Sequence, residues 1–272
     1  MKPSTRGEGD PGSEPVVDLA SETNEVHRHG SVVVRNAGPH SETVHALLRH
    51  LADAGFGGSP KVVGDGFDPA GRETISFVQG DVLHPGLPTV EGTAALGVLL
   101  RDLHEATSSF VPGHHAVWQP WFGRSLGEGE RVVGHCDAAP WNVVTRDGLP
   151  VALIDWELAG PVDPLVDLAQ AAWLNARLYS DDIAEREGLP PVAERARQLR
   201  AIVDGYRLDE ARRAGFVDLM IEFAIHSTAA DADEDGVTRD TVRSRALWGM
   251  AWRSRSAAWM LRNRKVLERA LA

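Results

Sequence analysis

The chain has 272 residues, 43% of them hydrophobic, enough apolar material for one large core or two modest ones, and its single cysteine excludes an internal disulfide framework. A formal net charge of −11 argues against a nucleic-acid partner, which would need a basic surface; it suits a cationic small molecule, and equally the solvated acidic faces of an ordinary soluble protein. No apolar run is long enough to span a membrane, and Met1 to Glu14 is polar and rich in Gly and Pro without the apolar centre of a signal segment, so a cytoplasmic protein with no membrane or nucleic-acid partner is expected.

Residues 1–14 read as a disordered tail. Glu25 to Arg28, the turn His29-Gly30, and Ser31 to Arg35 then form the pattern of a hairpin. Ser41 suits a helix N-cap, with Val44, Leu47, Leu48 and Leu51 at helical spacing behind it and Gly55, Gly57 and Gly58 ending the segment. Lys61 to Val63 and Arg72 to Val78 read as two further strands, joined by a turn over Asp65 to Gly71, and the second runs into Gln79-Gly80-Asp81. A helix follows from Val90 to His104, with Leu96, Leu99, Leu100 and Leu103 on one face. His104 reads as a structural histidine, because nothing nearby in sequence supplies an acid to orient it.

The most informative stretch is Gly134-His135-Cys136-Asp137-Ala138-Ala139-Pro140-Trp141-Asn142, followed by Val151 to Glu157. Asp137 and Asn142 lie on a segment broken by Pro140, and Asp155 ends an apolar run after a turn at Arg146-Asp147-Gly148, so two acids and an amide can converge. In phosphoryl transfer of the kinase type, one acid orients the attacking hydroxyl and accepts its proton while an amide and a second acid hold Mg²⁺ against the nucleotide phosphates. Aspartate and asparagine also cap ordinary loops, but that chemistry does not account for the joint spacing with an apolar strand before each acid. Asp163-Pro164 then marks a sharp helix start, carrying Leu165, Leu168, Ala169 and Ala172 on one face and Asp167 among them. Residues 190–272 are helical in pattern, with Trp248, Trp252 and Trp259 spaced to share a core face.

The segment resembles the catalytic region of the aminoglycoside phosphotransferase family, whose pattern is His-Gly-Asp, then Asn, then Ile-Asp-Phe or Ile-Asp-Trp. The resemblance implies an α+β, protein-kinase-like, two-lobed fold: a small antiparallel-sheet, nucleotide-binding N-lobe over residues 15–80 and a larger, mostly helical, catalytic and substrate C-lobe over 81–272. It implies ATP and Mg²⁺ as cofactors and a small-molecule hydroxyl as acceptor, an aminoglycoside among the candidates beside choline- and homoserine-type metabolites. Asp137 becomes the catalytic acid, Asn142 and Asp155 the metal ligands, and Phe77, Val78 and Gln79 the hinge that meets the nucleotide base. His135 and Asp167 become supporting residues of the catalytic loop. Two positions depart from the pattern. Arg35 stands where kinases carry a phosphate-binding lysine paired to a helix glutamate, and the helix has Val44 at the sought position with Glu42 two residues earlier. Cys136 replaces a glycine, which asks whether the loop keeps its backbone path. Two other readings stay open: a kinase-fold binding or immunity-type protein without turnover, and a metal-dependent hydrolase using the same acids.

Overall fold

Valine, isoleucine and threonine favour a pleated, half-buried surface, and they supply the strands of a five-stranded antiparallel sheet in the order β1-β2-β3-β5-β4. Its strands are β1 (Val16–Leu19), β2 (Val26–His29), β3 (Val32–Arg35), β4 (Val62–Phe67) and β5 (Glu73–Ser76). The computed structural model describes residues 16–19, 26–84, 86–242 and 246–272, and the expected tail over 1–14 lies outside them. The β2–β3 hairpin turns at Gly30, whose φ of 57° is left-handed. The turn before β5 is shorter than expected, because β4 continues to Phe67 and Asp68 closes the turn by accepting the Ala70 and Arg72 amides.

Helix α1 (Ser41–Asp53) crosses between β3 and β4 and buries Val44, Leu47, Leu48 and Leu51. Its cap differs from the sequence expectation: His40 is the N-cap, and Ser41 is the first helical residue, its hydroxyl accepting the Gly38 amide at 3.0 Å. The Ser41 amide donates in turn to the Gly38 carbonyl at 3.0 Å, so the turn entering the helix engages both groups of Ser41.

Beyond Gly80 the chain forms β6 (Asp81–Val82) and then α2 (Val90–Thr107), capped by Thr89 Oγ1 accepting the Gly92 amide. Two small sheets follow: β7 (Val132–Gly134) pairs with β10 (Gly160–Val162), while β8 (Val143–Arg146) lies between β6 and β9 (Leu149–Leu153). Asp147 and Gly148 both take positive φ, the requirement of the tight primed turn that joins β8 to β9.

The remaining helices are α3 (Pro164–Asn175), α4 (Asp181–Glu187), α5 (Val192–Tyr206), α6 (Glu210–Arg213), α7 (Phe216–Glu234) and α8 (Ala246–Leu271). Asp163 caps α3 as expected, its Oδ1 accepting the Leu165 amide at 2.8 Å. Helices α2 and α5 touch backbone to backbone: a Cβ on Gly97 would stand 2.1 Å from the Ile202 carbonyl oxygen, so only glycine allows the approach. The tryptophans of α8 do not share one environment. Trp259 is buried and donates to Asp181, Trp252 stacks on Trp173 at 5.4 Å, and Trp248, near the start of the helix, is half exposed. The chain thus has the kinase-like architecture: a small antiparallel sheet with one helix, followed by a larger helical part.

Candidate active site

Strand β7 ends at Gly134, and the loop that follows is held from below by one buried carboxylate. Asp167 Oδ2 accepts the His135 amide at 3.0 Å and Oδ1 accepts the Cys136 amide at 2.8 Å. Oδ2 also meets His104 Nε2 at 2.9 Å, and His104 Nδ1 meets the Tyr206 hydroxyl at 2.8 Å. Burial works to raise the Asp167 pKa, but the His104 hydrogen bond and the neighbouring positive charge and amides outweigh it and hold the carboxyl below its ordinary range. Gly134 is needed here, since a Cβ would lie 2.5 Å from Asp167 Oδ2. His104 is therefore a fully bonded structural histidine, as expected, although its acid comes from 63 residues away.

Cys136 takes φ 64°, in the left-handed region that glycine adopts without strain. Its side chain is buried between the Arg124 guanidinium and the Gly160 carbonyl, 3.9 and 3.8 Å from sulfur. Burial, followed by the Asp167 charge, pushes the thiol well above its ordinary pKa, which leaves it without thiolate character. His135 is also buried, and burial lowers its pKa. Its Nε2 meets the Ile154 carbonyl at 3.0 Å and its Nδ1 accepts the Asp137 amide at 3.3 Å, so the ring is neutral with the proton on Nε2 and links the two loops.

Asp137 emerges from this cradle half-buried. Asn142 Nδ2 donates to its Oδ2 at 2.8 Å and to its carbonyl at 3.0 Å, while Gln170 Nε2 on α3 donates to Oδ1 at 3.3 Å. Burial, and then the Asp155 charge, push the Asp137 pKa up to about 7 against hydrogen bonds from Trp141 and Asn142. Asp155 follows β9 in a left-handed conformation, φ 63°, with its side chain 49% exposed. Asn142 stands at the head of β8 and accepts the Ile154 amide at its carbonyl, 2.9 Å, so Asn142 and Asp155 are tied by adjacent strands.

Arg35 reaches this group from the other lobe. Its guanidinium is buried; Nε donates to Glu73, and Nη1 lies 2.8 Å from Asp155 Oδ1 and 3.2 Å from Glu157 Oε1. Burial opposes the charge, but Glu73, Asp155 and Glu157 outweigh it and hold the guanidinium protonated. The glutamate sought on the helix is instead on β5, where Glu73 stands directly across from Arg35 in the strand register. Helix α1 contributes His45, whose Nε2 meets Glu73 Oε1 at 2.9 Å. Sequence reasoning missed Glu73, His45, Glu157 and Gln170; the usable signal was an acid at the start of a strand of buried residues, since a fully buried glutamate almost always has a partner.

The segment Phe77-Val78-Gln79 leaves β5 and enters β6, which pairs with β8 directly after Asn142. The Phe77 amide donates to the Ser31 carbonyl at 2.7 Å, the Arg28 guanidinium lies 3.7 Å over the Phe77 ring, and the Gln79 carbonyl accepts from Arg146 at 2.8 Å. Two of the backbone groups that a base could use are thus engaged by the protein itself.

Comparison with known proteins identifies the family. The model of the phosphotransferase enzyme family matches residues 113–216, the span holding Asp137, Asn142, Asp155 and Asp167. The trifolitoxin immunity protein of Rhizobium leguminosarum bv. trifolii is 55% identical over 247 residues, 91% of this chain and 95% of that protein. The chain belongs to the phosphotransferase enzyme family. Solved structures agree in fold. Amicoumacin kinase, solved with AMP-PNP, Ca²⁺ and Ami, superposes with a TM-score of 0.64 at 15% identity over 96% of this chain and 89% of that one. A microcompartment-associated aminopropanol kinase gives 0.61 at 17% identity over 94% of each chain. The GDP complex of aminoglycoside 2′-phosphotransferase-IIIa gives 0.57 at 14% over 96% and 94%. Among the described residues of the chain, no helix is long and apolar enough to cross a membrane, and no group of three or more His, Cys, Asp or Glu side chains could hold a metal ion.

Proposed function

We propose that this protein moves the γ-phosphoryl group of ATP, with Mg²⁺, to a hydroxyl of a small molecule. The observation that carries the reading is the convergence of Asp137, Asn142 and Asp155, with one edge of the Asp137 carboxylate held by Asn142 and Gln170 and the loop beneath fastened to Asp167.

The donor set fits a magnesium–nucleotide. Asp155 offers a half-exposed carboxylate, and Asn142, whose Nδ2 is turned to Asp137, offers its amide oxygen; both are hard oxygen ligands. Two protein ligands suffice, because Mg²⁺ takes its remaining positions from phosphates and water. When bound, the cation neutralises charge developing on the transferred phosphoryl group. Asp137 orients the acceptor hydroxyl and takes its proton. His135 and Asp167 fix the height and angle of the Asp137 backbone, and the Phe77-Val78-Gln79 segment meets the base. Arg35 supplies positive charge toward the α- and β-phosphates in place of the lysine.

The acceptor is a small molecule, and the acidic balance of the chain favours a cationic one. Aminoglycosides and amino alcohols belong in the test panel, and the name of the Rhizobium relative adds trifolitoxin. A second reading, binding without turnover as the basis of immunity, draws on Arg35 lying against Asp155 and on Cys136 at the glycine position. Incubation of the protein with ATP, Mg²⁺ and each panel member, followed by mass spectrometry, separates the two: a phosphorylated acceptor supports transfer, whereas acceptor binding without product supports the second reading.

A further inference from the structure

Arg35 is built as an anchored arm. Its Nε is bonded to Glu73 across the β3–β5 register, and Glu73 is bonded in turn to His45 on α1. All three side chains are buried. The far side of the same guanidinium is different: Nη1 meets Asp155, whose side chain is 49% exposed, and Glu157, at 29%. One end is thus fixed in the small sheet and the other lies on acids at the mouth of the site. The cluster holds three carboxylates and one guanidinium, and the half-exposed acid with the Nη1 contact is the one that the proposed function gives to a divalent cation.

We infer that Arg35 occupies Asp155 as an internal counter-ion, so that a divalent cation and the Arg35 Nη1 arm compete for this carboxylate, with Glu73 and His45 acting as positioning residues that keep the arm within reach. The inference rests on the assignment of Asp155 as a cation ligand. The physical reason is that a carboxylate already paired at 2.8 Å has lost much of its attraction for a second cation, and regains it only when the first charge is moved away. Polyanionic phosphates supply the competing acceptor for the freed guanidinium, whose planar fork suits phosphate oxygens. Cation and nucleotide therefore help each other to bind: the cation displaces the arm from Asp155, and the phosphates receive it. The coupling is reciprocal, because each ligand favours the same arrangement of Arg35.

The test uses Mn²⁺ alone as probe, followed by electron paramagnetic resonance on the whole chain without nucleotide. Arg35→Met is expected to bind Mn²⁺ about tenfold or more tightly than wild type, because Asp155 is no longer neutralised. Adding Asp155→Asn to that variant should remove the gain. Arg35→Met leaves Glu73 buried with only His45 beside it, so the Arg35→Met/Glu73→Gln pair, which removes both charges together, provides a second variant and should show the same gain. With ATP present, wild type should tighten on Mn²⁺ by a larger factor than either variant. Equal or weaker Mn²⁺ binding in both variants, or no Mn²⁺ binding in any of the proteins, overturns the inference. Turnover measured on the same preparations tests the proposed function separately. The Mn²⁺ contrast without turnover leaves the counter-ion exchange standing and sinks phosphoryl transfer; turnover without the contrast does the reverse.

Discussion

Arg35 Nη1 lies 2.8 Å from Asp155 Oδ1, so the basic residue that ends β3 and the acid that follows β9 are paired across the two lobes. This contact joins the phosphate side of the proposed site to its metal side. Replacing Arg35 with alanine should therefore weaken ATP far more than adenosine, since adenosine keeps the base contacts and has no phosphate for the guanidinium. Calorimetric titration of both ligands checks this, and equal losses would make the arginine purely structural.

Glu73 holds the other end of the same arginine in a buried position. Glu73→Ala leaves the buried Arg35 Nε without its acceptor, while Nη1 keeps Asp155 and Glu157, and should cost about 1–3 kcal/mol of stability in denaturant unfolding. Glu73→Gln keeps acceptor and shape and should cost less. A cost under about 1 kcal/mol for the alanine variant, the scale of a single exposed ion pair, would contradict the buried-cluster account.

Asp167 gives a pH-dependent prediction. Its folded-state pKa is depressed, so its contribution is complete above the unfolded-state value of about 3.9 and is lost as pH falls through the lower folded value. Asp167→Asn should destabilise the protein by about 3 kcal/mol at pH 7, the scale of a charge-assisted hydrogen bond plus an orphaned buried donor. That gap should narrow as pH falls through the Asp167 titration. A gap independent of pH down to acid unfolding would show that the carboxylate charge does not hold the loop.

Cys136 is buried with a raised pKa, so the single thiol of the chain should react with a disulfide reagent only on unfolding, at the unfolding rate. Cys136→Gly should change stability by no more than about 1 kcal/mol, because relief of the left-handed strain offsets the greater freedom of glycine in the unfolded chain. Rapid labelling of the folded protein would contradict the observed packing.

Local patterns in the sequence carried much of the architecture. The hairpin around Gly30, the apolar stripe of α1, the Asp147-Gly148 turn and the Asp163-Pro164 cap each depend on residues within one or two turns of each other, so their chemistry is visible in a short window. The approach of Asp137, Asn142 and Asp155 was legible for a related reason: a proline break and a tight hairpin bring their loops together. Arg35 was legible as a departure from the lysine pattern, but its partners were not. Glu73 is 38 residues away and Asp155 120, and only the β3–β5 register and the closure of the lobes bring them together. His104 and Asp167, 63 apart, were hidden in the same way. The α8 tryptophans failed differently, since helical spacing tells which residues share a face but not how far a neighbouring helix covers it. Ser41 was misplaced by one position because two adjacent residues could begin the helix, and the bond to Gly38 decides between them.

The most direct test of the central claim is phosphoryl transfer itself, followed by mass spectrometry with ATP and Mg²⁺ over aminoglycosides, amino alcohols and trifolitoxin, on wild type and Asp137→Asn side by side. The wild type should add one phosphoryl group to an acceptor hydroxyl, and the variant should do so at a rate reduced by about 10²-fold or more with ATP affinity little changed, since general-base help is lost while the nucleotide contacts remain. Equal rates in the two proteins, or ATP bound by the wild type with no acceptor phosphorylated, would contradict it.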